Sequence, residues 1–358
     1  MLRASRVSRS LGLWLSLALT ALAALPQTVG AAKQLSSARL LGQRIMVGFP
    51  GTAASSALLS AVKRGEVGSV ILFAGNIVRR GQLAALISSL QGAAKAGGNP
   101  PLLIAVDQEG GQVKRLPAGP PSLSPPQIAA RGSTAVASEQ GKATGRYLKQ
   151  RGINMDLAPV VDVPTFRGAF IWQQGRAFSF SADTVTRFAT PFALGLQSEG
   201  VAATAKHFPG VGSAAVDTDN KLDELRPTRA QRQAALQPYR TLIREGLDAV
   251  MVSTAGFPAY DRSGTPAALS RQIIQGVLRR KLGFRGVAIT DALGTPTGHD
   301  EITAGVLAAE AGADILLYTD SANGELRALE TAMASGRISR ADADAAYRRI
   351  IALKHKVN

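Results

Sequence analysis

The chain contains no cysteine. This excludes disulfide staples, thiolate–metal sites, a cysteine nucleophile and lipid attachment through a cysteine. Only three histidines occur, His207, His299 and His355, too few for a multi-histidine metal site. No metal and no cofactor is therefore expected. No G-x-G-x-x-G follows the first apolar run, which argues against dinucleotide binding. Aromatics make up only 5% of residues, and no basic block is interleaved with them. The basic residues are dispersed, so nucleic acid is not an expected partner. Acidic residues are scarce, 25 against 41 basic, giving a formal net charge of +16. No low-complexity linker interrupts the chain, so one domain is expected.

Only one long hydrophobic run is present, Leu11 to Leu25, and it is short for a bilayer span. Arg3, Arg6 and Arg9 precede it, and Val29-Gly30-Ala31-Ala32 offers small residues for cleavage. Residues 1–32 read as a secretory signal peptide, with an uncleaved anchor as the alternative. The arginines are not adjacent, which favours general export. The product would be secreted or held in the cell envelope, and not as a lipoprotein. Without those three arginines residues 33–358 keep +13, a charge that would attract anionic wall polymers.

Between residue 40 and the end, short apolar runs alternate with amphipathic segments. The runs are Arg44–Gly48, Ser69–Phe73, Leu102–Val106, Met155–Pro159, Ala202–Lys206, Ala249–Ser253, Gly286–Thr290 and Asp314–Tyr318. The helical patterns are Gly81–Ala96, Glu139–Arg151, Thr184–Glu199, Ala230–Glu245, Ser270–Leu282, Glu301–Ala311 and Arg340–Lys354. Uninterrupted Val/Ile/Leu runs between helices predict a parallel sheet covered on both faces. Eight such units in about 320 residues fit an α/β fold of the (β/α)8 TIM-barrel type, as a single domain and a monomer. A doubly wound open sheet is the alternative. Leu116–Pro126, rich in proline and glycine, reads as a long loop after the third strand.

A barrel of this kind carries its site at the C-terminal strand ends. The polar residues there are Asn76, Asp107, Glu109, Asp162, Lys206, His207, Thr290 and Asp291. Each alone could cap a helix or sit solvated on the surface. Carboxylates and cations on several strand ends point instead to a common ligand site.

These same segments carry a resemblance. Ala205-Lys206-His207-Phe208-Pro209-Gly210, Ala105-Val106-Asp107-Gln108-Glu109-Gly110-Gly111, Leu157–Val163, Gly175-Arg176-Ala177-Phe178-Ser179 and Ala288-Ile289-Thr290-Asp291-Ala292-Leu293 are similar, in order, to motifs of the family 3 glycoside hydrolases. The proline and glycine after Lys-His-Phe resemble the bacterial β-N-acetylglucosaminidase (β-hexosaminidase) branch. The resemblance implies a retaining exo-enzyme that removes terminal β-linked N-acetylglucosamine, from peptidoglycan fragments in wall recycling or from chitooligosaccharides. It implies Asp291 as the nucleophile, forming a covalent glycosyl-enzyme. Asp107, Arg115, Arg176, Lys206 and His207 would hold the sugar hydroxyls through charge-assisted hydrogen bonds.

The chain departs from the family at one place. A loop after the Lys-His-Phe strand carries an Asp-Ser-His triplet in the family, and its histidine serves as acid and base. Here the triplet is Asp217-Thr218-Asp219. Val211 and Ser253-Thr254 also stand where histidines are common in the family. Either Asp219 takes over as acid/base, with Asp217 raising its pKa, or the acid is lost. Loss would leave a catalytically impaired homologue acting as a saccharide-binding protein. A β-glucosidase of the same family is a further alternative.

Overall fold

The computed structural model describes residues 35–318 and 324–358. The expected signal peptide, residues 1–32, lies outside the described residues. Eight parallel strands are β1 Ile45–Val47, β2 Ser69–Leu72, β3 Leu103–Val106, β4 Met155–Asp156, β5 Ala202–Phe208, β6 Ala249–Val252, β7 Val287–Thr290 and β8 Leu316–Tyr318. Neighbours in the chain are neighbours in the sheet, and β8 pairs with β1 through Ile45↔Leu316. A parallel bridge, Ile289↔Ile315, joins β7 to the run entering β8. The sheet thus closes into the (β/α)8 barrel that the apolar runs predict.

Each run is mainly apolar, yet its residues divide with period two. Met46, Ile71, Leu103, Ala105, Met155, Met251, Ile289 and Leu317 fill the barrel interior. Ile45, Val47, Val70, Leu72, Ile104, Val106, Val250 and Val252 face the helices. Both sets are buried, so the alternation is invisible in hydropathy and the run reads as continuous.

Helices Arg80–Ala96, Thr134–Lys149, Ala182–Ser198, Arg229–Arg244, Glu301–Ala311 and Arg340–Val357 answer the expected patterns within a few residues at their ends. Gln272–Lys281 winds as a π-helix. The helix at 229–244 starts where a capping box predicts. Thr228 Oγ1 accepts from Gln231 N at 3.3 Å, and Gln231 Oε1 accepts from Thr228 N at 2.8 Å. The loop at 116–126 gives way to a short helix, Pro125–Ala130. Ile350, Leu353 and Val357 of the last helix join the interior cluster, so this helix covers the N-terminal end of the barrel. The C-terminal strand ends remain open for a site. Among the described residues no helix is long and apolar enough to cross a membrane.

Candidate active site

The chain after β3 folds back as a small antiparallel hairpin, Gln108–Gly110 with Val113–Lys114. Its turn places Gly110 at φ +100° and Gly111 at φ +61°, which glycine adopts at little cost. The hairpin carries Glu109 into the barrel mouth and returns Arg115 to the strand end, where its backbone N donates to Asp107 O at 3.1 Å.

Five charged side chains interlock there. Arg176 grips Glu109 with two bonds, Nε to Oε2 and Nη2 to Oε1, each 2.8 Å. Lys206 Nζ lies 2.8 Å from Glu109 Oε1 and 2.7 Å from Asp107 Oδ1. Arg115 Nη2 donates to Asp107 Oδ2 at 3.3 Å, with its guanidinium 5.9 Å from the Phe73 ring centroid. Burial alone would raise the Glu109 carboxyl, but Arg176 and Lys206 overcome it and hold it at about 2. Burial likewise opposes the charge on Lys206, and Asp107 and Glu109 reverse the sign, so its pKa ends above the ordinary lysine value. Both Glu109 oxygens are taken up by cations. Its role is therefore to orient Arg176 and Lys206, while Lys206 keeps one of its three N–H donors for a ligand.

Asp162 organises the turn after β5. Its Oδ1 accepts from Val211 N at 2.7 Å, and its Oδ2 lies 2.7 Å from His207 Nδ1. That contact sets Nδ1 as the protonated nitrogen, leaving Nε2 toward the cavity, 3.4 Å from Arg176 Nη2. Burial lowers the His207 pKa, but the Asp162 charge and hydrogen bond more than offset it, so the net shift is upward.

Asp291 ends β7. Its Oδ1 accepts from Ala292 N at 2.9 Å, and its buried Oδ2 has no hydrogen-bond partner among the described residues. Asp219, on the loop after β5, keeps contact with solvent at the cavity mouth, while the protein around it still penalises the charge. That burial, then the charges of Asp291 and Asp217, push its carboxyl up to about 7. Asp217 does not bond the Asp219 carboxyl. It accepts from Asp219 N at 3.1 Å and from Gln174 Nε2 at 2.8 Å.

All eight residues expected from the sequence, Asp107, Arg115, Arg176, Lys206, His207, Asp217, Asp219 and Asp291, line one cavity of about 450 Å³. Its floor is apolar, from Ile71, Leu157, Met251 and Leu317. The size lies in the range of small-ligand sites. Glu109, a polar strand-end residue in the sequence, lines the cavity too, though nothing there marked it as the partner of two cations. Gln174 is also in the lining and was not singled out. Gln174 carries no local signal, because a polar side chain two residues before an arginine is commonplace.

The glycosyl hydrolase family 3 N-terminal domain matches residues 33–353. An uncharacterised secreted glycosyl hydrolase of Arthroderma benhamiae is 36% identical, covering 88% of this chain and 93% of its own. A β-hexosaminidase of Stenotrophomonas maltophilia is 34% identical, covering 76% of this chain and 82% of its own. The solved family 3 β-N-acetylglucosaminidase of a Paenibacillus species superposes with a TM-score of 0.86 at 35% identity, over 90% of this chain and 63% of that longer one. The β-N-acetylhexosaminidase of Beutenbergia cavernae gives 0.82 at 32% identity, over 90% of this chain and 99% of that one.

Proposed function

The chain belongs to glycosyl hydrolase family 3, and we propose that it is a retaining exo-β-N-acetylglucosaminidase acting on peptidoglycan fragments or chitooligosaccharides. One observation carries this reading. A single cavity holds a carboxylate with a free oxygen, Asp291, beside a carboxyl held near 7, Asp219. A carboxylate free to attack and a second acid that can hold a proton near neutrality are what a double displacement needs.

In the first step Asp291 Oδ2 attacks the anomeric carbon while Asp219 gives its proton to the departing oxygen. The bond to the aglycone breaks as the bond to Asp291 forms. Asp219, now ionised, takes a proton from a water whose oxygen attacks the same carbon. Asp291 is released, and the anomeric configuration is retained. Asp107, Arg115, Arg176, Lys206 and His207 hold the sugar, and Glu109 holds two of the cations in place. The carboxylates around Arg176 and Lys206 favour their charged forms, so these two cations stay charged throughout. The similarity to a secreted glycosyl hydrolase and the character of residues 1–32 favour a place outside the cytoplasm. The net positive charge favours anionic surroundings there.

The test is turnover of an aryl β-N-acetylglucosaminide and the matching aryl β-glucoside by residues 33–358. An aryl leaving group needs little acid assistance, so the assay isolates Asp291 and the sugar site. Release from the N-acetyl substrate, abolished in Asp291→Ala, supports the reading. Release from the glucoside alone would make the protein a β-glucosidase. Release from neither would make it a saccharide-binding protein on a hydrolase scaffold.

A further inference from the structure

Gln174 bridges the two halves of the site. Its Nε2 donates to Asp217 Oδ2 at 2.8 Å, on the loop that carries Asp219. Its Oε1 accepts from Arg176 Nη1 at 3.1 Å, inside the cation cluster. An ionised aspartate only accepts and an arginine only donates, so these two neighbours fix which way the amide points. The other Asp217 oxygen accepts from Asp219 N at 3.1 Å, so Asp217 passes the constraint on to the backbone of Asp219. A second tie lies just upstream, where Phe170 N donates to Ala214 O at 3.0 Å. The two ends of the loop are also held, by Val211 N to Asp162 Oδ1, Thr165 N to Gly212 O and Gly256 N to Asp223 O, while its middle is open to solvent. Ala215, Val216, Asp219, Asn220, Lys221 and Leu222 are all exposed.

We propose that Gln174 is a positioning residue that latches the loop around residues 211–223 onto the Glu109–Arg176 pair and so sets where Asp219 stands. A sugar that orders Arg176 then also orders the loop, because one amide touches both. The catalytic consequence rests on the reading of Asp219 as acid/base; the structural consequence does not.

Two variants separate the roles of the amide. Gln174→Glu keeps an acceptor for Arg176 and removes the donor facing Asp217. Gln174→Glu combined with Asp217→Asn restores a donor and an acceptor with their directions exchanged. The first readout is tryptic cleavage at Lys221 in the folded protein. When the loop opens and closes rapidly, cleavage follows the open population. Loss of a hydrogen bond to a charged group should speed cleavage about tenfold or more in Gln174→Glu, and the exchanged pair should return it toward wild type. The second readout is a split in kinetics. With Gln174→Glu, kcat for an unactivated β-linked disaccharide should fall at least tenfold while KM for the aryl substrate stays near wild type.

Wild-type cleavage and wild-type kinetics in Gln174→Glu would overturn the latch. So would faster cleavage that the exchanged pair fails to restore, since that would mark general loosening. Faster, restorable cleavage in a protein that releases no sugar would uphold the latch and remove the hydrolase reading instead.

Discussion

On the proposed reading Asp219 acts as the acid, and its surroundings determine whether a carboxyl can. An ordinary aspartate is ionised at neutrality and has no proton to give. Burial and the neighbouring charges of Asp291 and Asp217 bring Asp219 up to about 7. The sign of the pH dependence follows. The acid must be protonated in the first step, so activity is kept below its pKa and declines as pH rises through about 7. In Asp219→Ala that decline should vanish. Loss of general acid help should lower kcat/KM for an unactivated disaccharide about 10²- to 10⁴-fold and leave an aryl substrate far less affected. Steady-state kinetics on both substrates from pH 5 to 9 read both effects. Equal losses on the two would deny Asp219 the role.

At the scale of elements, the loop after β5 is placed by close backbone approach as well as by Gln174. Thr165 N donates to Gly212 O at 2.9 Å, and a Cβ on Gly212 would overlap the backbone of Val163. Gly212→Ala must therefore push the loop off the strand-four segment. Overpacking of this kind costs about 1–3 kcal/mol, read as a lower Tm, and displacement of Asp219 should depress turnover of unactivated substrate beyond that of the aryl one. Gly92→Ala is the control. It sits in the exposed face of the 80–96 helix with nothing within 4 Å of an added Cβ, so stability should hold or rise by roughly 0.5–1 kcal/mol. A matching loss in both variants would dismiss the steric argument. The same contrast explains what could be read beforehand. The eight strands were legible because apolar runs of four or five residues between amphipathic helices have few other uses. The 108–114 hairpin was not, because Gln, Glu and paired glycines carry no hydropathy period. Nor were the short helices at 37–42, 56–64, 125–130 and 170–173, nor the one at 325–334. Of the eight residues expected at the site, Asp107, Lys206, His207 and Asp291 were legible as polar groups at strand ends, and Arg115, Arg176, Asp217 and Asp219 only through the family resemblance; the structure brings all eight to one cavity. The closure of Glu109 between two cations, and of Gln174 between Arg176 and Asp217, exists only once strands distant in sequence meet.

At the scale of the whole molecule, the barrel divides its tasks between its ends. The open end holds the interlocked charges of the site. The covered end holds ion pairs too, Arg279 and Arg349 with Asp314 and Lys356 with Asp248, and beside them one amine whose partners are neutral. Lys354, on the last helix, is buried, and its Nζ donates to Gln43 Oε1 and Gly68 O, each at 2.7 Å. Both partners are neutral, so burial dominates and lowers its pKa to about 7. A neutral amine has two donors for these two acceptors, which matches the bonds observed. The unfolded chain keeps an ordinary lysine near 10.4. Between pH 7 and about 10 the unfolded state thus binds more protons than the folded one, and stability rises with pH. From pH 7 to 9 this group should add roughly 2 kcal/mol of unfolding free energy, at no more than about 1.4 kcal/mol per pH unit. Lys354→Met removes the titrating group while keeping the apolar stem, so the gain should disappear in the variant. Urea unfolding of both proteins at pH 7 and pH 9 measures the difference of differences, in which all other titrating groups cancel. A wild type whose stability moves in parallel with the variant would mean that Lys354 stays charged in the fold. The covered end would then have to supply a counter-charge that Gln43 and Gly68 do not provide.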